Sequence, residues 1–120
     1  MDHHDPNDPV SVYVREVSTV EPLTKMEEAQ LFRELGDPGE WDEQREKVAR
    51  TLIESQLMLV VSVAEKHAAS GAPLLDLIQE GNMGLMNAVR SFAEKPIGDF
   101  SAYAAACIEE TLTKAFGEST

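Results

Sequence analysis

Apolar residues along this chain recur at intervals of three and four, and no stretch sustains the two-residue alternation of a half-buried strand. The pattern predicts an all-α fold. Asp8-Pro9 sets a cap and first turn, after which Val10, Tyr13, Val14 and Val17 share one face. Pro22 interrupts. Thr24-Lys25-Met26-Glu27 is a capping box, and the helix it opens carries Met26, Ala29, Leu31, Phe32 and Leu35. Gly36-Asp37-Pro38-Gly39 ends it. One long helix is then expected from near Glu40 to about Ala68, with Val48, Leu52, Leu59 and Val63 as its inner stripe. Its run Leu57-Met58-Leu59-Val60-Val61 is apolar all round, which predicts burial on most sides. Residue type alone would allow a strand there, but the flanking helical pattern speaks against it. After Ser70-Gly71-Ala72-Pro73, a helix with Leu74, Ile78, Gly81, Leu85, Ala88 and Phe92 on one face is expected, stopped by Pro96-Ile97-Gly98. A last helix runs from Phe100 to about Phe116, with Tyr103, Ala104, Cys107, Ile108 and Leu112 at helical spacing.

The helix that begins at Leu74 is unusual because it keeps two interior glycines. Each costs about 1 kcal/mol relative to alanine. Gly81 lies on the inner stripe and is expected to admit a crossing helix at close range, while Gly84 lies off that stripe. Opposite the core face sit Asp76, Gln79, Glu80, Met83 and Asn87, with Asn82 and Met86 at the margin. Methionine among amides and carboxylates suits a helix-on-helix contact, because the thioether adapts its shape and the polar groups set orientation. A solvated polar face with two ordinary methionines fits the same pattern.

Composition narrows the function. A chain of 120 residues is the size of one domain with one real core. No apolar run approaches a membrane span, and the acidic start Met1-Asp2-His3-His4-Asp5 is not expected to be a signal peptide. The single cysteine, Cys107, forms no internal disulfide, fits a reduced cytoplasmic setting, and reads as a small buried hydrophobe. The net charge of −12, from 22 acidic and 10 basic residues, weighs against non-specific attraction to nucleic acid. No phosphate loop or glycine fingerprint is present. His67 is isolated, and His3-His4 with Asp2 and Asp5 lie on an arm without fixed geometry. Neither an enzyme, a metal site, a cofactor nor a small-molecule substrate is expected.

Asp76-Leu77-Ile78-Gln79-Glu80-Gly81-Asn82-Met83-Gly84-Leu85-Met86 closely resembles the most recognisable helix of the bacterial sigma-70 family. Leu59-Val60-Val61-Ser62-Val63-Ala64-Glu65-Lys66 resembles the core helix upstream of it. Asp8-Pro9-Val10 with Tyr13, Arg15-Glu16, Leu23-Thr24 and Glu27-Glu28 resembles the short segment before the main domain. The resemblance covers residues 8 to 116, apart from the loop around 36–46. It implies a compact sigma region 2-like helical bundle over 47–116. Two short N-terminal helices over 8–35, like region 1.2, would precede it. A variable loop and helix start over 36–46, a disordered arm at 1–7 and a tail at 117–120 complete the layout. It further implies docking on the coiled coil of the RNA polymerase β′ subunit, with contacts at Asp76, Gln79, Glu80, Asn82, Met83 and Met86.

The promoter-facing part departs from the family. Phe92, Phe100-Ser101, Tyr103-Ala104 and Ile108 match its framework. Where the family has aromatic and basic residues, this chain has Ala93-Glu94-Lys95-Pro96-Ile97-Gly98-Asp99. The family's paired tryptophans are Ala106 and Cys107 here, and its arginine and glutamine are Glu109 and Glu110. Stacking a base on an aromatic is worth about 1–3 kcal/mol, and alanine supplies almost none of it. A carboxylate near phosphate repels and releases no counterion. From Ala93 to Thr120 five acidic residues face two basic ones. DNA contact is therefore expected to be weak, with Phe100, Tyr103 and Lys114 as what remains; Phe100, Tyr103 and Ile108 also read as core packing. By the resemblance, the rest of the family's promoter-reading helix and its −35-reading domain would be expected beyond Gly117-Glu118-Ser119-Thr120. The expected role is a sigma-type factor that binds polymerase in transcription initiation or its regulation, with promoter melting weak or absent. A decoy or scaffold for an anti-sigma-type regulator, or part of an ordinary sigma factor that still binds −10 DNA, are the alternatives.

Overall fold

The computed structural model describes residues 7–117, and among these the chain forms α-helices and no strand. Local chemistry accounts for most of the boundaries. Helix α1 (Pro9–Val17) opens with Asp8 accepting from Ser11 N at 3.2 Å and with proline in its first turn. Helix α2 (Lys25–Leu35) opens on the expected capping box: Thr24 Oγ1 accepts from Glu27 N at 3.1 Å, and Glu27 Oε1 accepts from Thr24 N at 2.9 Å. It ends at Gly36, whose φ of 65° suits glycine alone at little cost. The expected arm and tail, and His3-His4 with them, lie outside the described residues except for Asn7 and Gly117.

The single helix expected over Glu40–Ala68 is two. Helix α3 spans Glu43–Glu54 and helix α4 spans Leu57–Lys66, followed by one 3-10 turn at Ala68–Ser70. The start shifts to Glu43 because Asp42 is the cap, accepting from Arg45 N at 2.9 Å. The break falls at Ser55-Gln56, without glycine or proline. Ser55 Oγ donates back to Leu52 O at 2.7 Å, which loosens the helical turn. Gln56 leaves helical geometry at φ −118°, ψ 11°, and its Nε2 donates to Ser101 Oγ at 2.9 Å and to Glu28 Oε2 at 3.3 Å. These are tertiary partners, so no local pattern announces the break.

Helix α5 (Leu74–Glu94) and helix α6 (Phe100–Phe116) form the most extensive pairing in the molecule, with α4 packed across both. At 21 residues α5 is roughly 31 Å long, about three quarters of the longest dimension, 41 Å. Leu52, Val60, Ala64, Leu77, Leu85, Ala88, Ala104, Ile108 and Leu112 are fully buried around it. An aromatic cluster ties in α2: Phe32 meets Phe92 and Phe100 edge-on with ring centroids 4.9 Å apart in both pairs. Edge-on rings set the positive edge of one against the negative face of the other.

Both glycines of α5 are buried, and Gly84 is a correction to the sequence reading, which set it off the inner stripe. A Cβ at Gly81 would lie 2.8 Å from Val60 Cγ1. A Cβ at Gly84 would lie 2.7 Å from Thr111 Oγ1 and 3.3 Å from the Cα of Ile108. Thr111 cannot swing away freely, since its hydroxyl donates to Cys107 O at 2.8 Å. Gly84 is thus the point where α5 meets the backbone of α6. The contact stripe is wider than a narrow helical seam and admits both positions. Gly81→Ala and Gly84→Ala are each expected to lower stability by about 1–3 kcal/mol through overpacking, despite alanine's better helix propensity. Denaturant unfolding of the two variants checks this; a gain in stability at Gly84 would show that α6 can move aside.

Candidate functional site

Burial of one face of α5 leaves the other in solvent. Gln79, Met83, Met86 and Arg90 step by four, three and four along that outer side, and all are exposed. Met83 is 53% and Met86 45% exposed, a large apolar presence for a solvent face. Asp76 is exposed in the first turn, where a carboxylate is favoured by the helix dipole. Glu80 is half-buried at the edge. Asn82 stands apart from this stripe: it is half-buried and turned toward α1, its Nδ2 donating to Tyr13 Oη at 3.3 Å. Its Oδ1 is shielded from solvent with no protein partner.

Arg90 was not singled out by the sequence pattern, though it lies four residues beyond Met86 on the same stripe. Its guanidinium lies over the Trp41 ring, 4.6 Å from the centroid. Its Nη1 donates to Pro38 O at 3.4 Å, and Nη2 is 4.0 Å from Glu46. Trp41 is half-buried against the core, as a loop-packing residue should be, and its Nε1 donates to Asp37 O at 2.9 Å.

The second candidate surface is the start of α6 and the connection before it. Phe100 is 1% exposed and belongs to the core. Tyr103 packs on Phe92 with centroids 5.3 Å apart and keeps 38% of its surface exposed. Lys114 is exposed and lies 3.9 Å from Glu110 one turn earlier. Ala106 is exposed and Cys107 is half-buried. Burial pushes the Cys107 thiol above its ordinary range, away from the reactive thiolate.

Two further acidic residues of this segment have partners within the molecule. Asp99 caps α6 by accepting from Ala102 N at 3.0 Å and forms an ion pair with Lys25 of α2. The Lys25 ammonium, and then the Ala102 amide, hold its carboxyl below the usual range, while Asp99 raises Lys25 in turn. Glu109 accepts from Nε2 of His67, a fully buried ring at the end of α4 whose Nδ1 has no protein partner. His67 looked isolated in sequence because its partner is 42 residues away. A cleft of about 180 Å³ beside Phe32 and Phe92 has Lys25, Arg33, Glu28 and Asp99 around it. Cations and carboxylates balance there, so no basic groove is formed.

The family model for sigma-70 region 2 matches residues 52–118, which takes in α4, α5 and α6. The chain belongs to the sigma-70 family. RNA polymerase sigma factor SigA of a Bacillus sp is 39% identical over 114 residues, covering 93% of this chain and 28% of that relative. The chain therefore spans a little over a quarter of the length of the curated relative it matches. The family resemblance seen in the motif around Gln79 thus extends over residues 52–118. No helix among the described residues is long and apolar enough to cross a membrane.

Glu28 is a buried carboxylate at the junction of α2, α4 and α6. Burial raises its pKa, and Lys25 and the Gln56 amide only partly offset this. A carboxyl raised in the folded state opposes folding at neutral pH, and that penalty fades as pH falls to the unfolded value. Glu28→Gln keeps an acceptor for Gln56 and removes the charge. It is expected to stabilise the protein at pH 7, with the gain shrinking toward pH 4, as denaturant midpoints at both pH values would show.

Proposed function

We propose that this chain docks on bacterial core RNA polymerase by seating the outer face of α5 against the coiled coil of the β′ subunit, and that it acts in transcription initiation or its regulation. One observation carries the reading. Gln79, Met83 and Met86 make a continuous outward stripe on the helix whose opposite face is the most deeply held in the fold. A rigid helix that presents adaptable thioethers beside an amide and carboxylates is suited to another helix. Asp76, Gln79, Glu80, Met83 and Met86 would meet it directly, and Asn82 would join them only by giving up Tyr13. The relative's own name, RNA polymerase sigma factor, supports the same partner.

Promoter melting by this chain alone would be weak or absent. Ala106 and Cys107 offer no ring to stack on, Phe100 is enclosed, and the cleft near Lys25 carries as many carboxylates as cations. A second reading, residual binding of −10 DNA, has one observation in its favour: the edge of Tyr103 is open to solvent.

A pull-down and titration with the β′ coiled coil tests the docking. Gln79→Ala and Met86→Ala are each expected to weaken binding by about 5- to 30-fold, as truncation at the centre of an interface does. No binding of the parent chain at micromolar concentration would sink the proposal. Titration of single-stranded −10 DNA at low salt is expected to give no saturable signal. Tight, salt-sensitive binding would favour the second reading.

A further inference from the structure

We infer that Arg90 is a specificity-determining cation of this docking face, held in place by the connection between α2 and α3 to receive a carboxylate from the partner helix. The inference rests on the docking proposed above and adds a residue, a partner chemistry and a role for the 36–42 connection. Arg90 is the only basic residue in α5 and continues the stripe of Gln79, Met83 and Met86 by one turn. In a chain of net charge −12, it is a single positive point on an outward face otherwise made of amides, thioethers and carboxylates.

Its orientation is set from below. Asp37 O holds the Trp41 indole, the indole supports the guanidinium, and Pro38 O takes one of its N–H groups. Glu46 reaches it only at the limit of an ion pair, and the Arg90 side chain stays 52% exposed. A guanidinium carries five N–H donors, so these contacts leave several of them uncommitted. Holding a long side chain in one geometry beforehand removes part of the ordering cost of a bidentate contact. The carboxylate it would receive lies roughly 6 Å along the partner from the group that meets Met86, the rise of four helical residues.

Titrations of labelled β′ coiled coil, followed by anisotropy at roughly 50 and 200 mM salt, test this. Arg90→Ala is expected to weaken binding by about three- to tenfold and to flatten its salt dependence, as loss of a rim charge does. Arg90→Lys keeps the charge without the planar stack and should recover only part of the loss. Trp41→Leu keeps the Arg90 charge but removes its support and should weaken binding in the same direction, with its melting temperature read alongside. Trp41, the only tryptophan, should change its emission when the parent chain binds. If Gln79→Ala weakens binding while Arg90→Ala leaves affinity and salt dependence unchanged, Arg90 only anchors the connection; the inference falls and the docking stands. If the parent chain does not bind at all, both fall.

Discussion

The close approach of α4 to Gly81 and of α6 to Gly84, both on α5, is the constraint on which the other arrangements depend. Two positions without a side chain let Val60 and Thr111 fill the space a Cβ would take, and bring the backbone of α6 within contact of α5. This sets the rotation of α5 about its own axis. Once Gly81 and Gly84 face inward with Leu77, Leu85 and Ala88, the helical repeat turns Gln79, Met83, Met86 and Arg90 outward together. Helix propensity is sacrificed at two positions so that one face is fully held and the stripe of Gln79, Met83 and Met86 is left exposed.

The acidic character of the segment from 93 to 110 has a different meaning in three dimensions. Asp99 and Glu109 are residues that would repel phosphate, yet each also serves the fold. Asp99 begins α6 and links it to α2 through Lys25, and Glu109 satisfies one nitrogen of the buried His67. Acidic side chains at these positions are thus part of the packing between α2, α4 and α6. Paired or not, these carboxylates still offer phosphate nothing to bind, so the residues that hold the helical frame together are also the ones on which the proposal of weak DNA contact rests.

Connections between helices contribute more than reach. Ser55-Gln56 divides the chain between α3 and α4, and the Gln56 amide joins α2 to α6 at that point. Asp37, Pro38 and Trp41 reach from the turn after α2 to Arg90 on α5. Both are polar contacts at the edge of an apolar core, where a directed hydrogen bond fixes an angle that hydrophobic packing alone leaves loose.

By itself the sequence determined the helical class, the caps of α1 and α2, the start of α6, and the motif that carries the family, because those depend on neighbours within about four residues. The outward positions of Asp76, Gln79 and Met83 were legible for the same reason: the helical period alone separates them from Leu77, Leu85 and Ala88. Only the tertiary structure decided the break at Gln56, the burial of Gly84, the turn of Asn82 toward Tyr13 and the pairing of His67 with Glu109. Each depends on a group far away in the chain, supplied by α1, α4 or α6 across the core. Arg90 lies between the two cases. Its place on the stripe is periodic and readable, but its support by Trp41 exists only once α5 and the connection after α2 have been packed side by side.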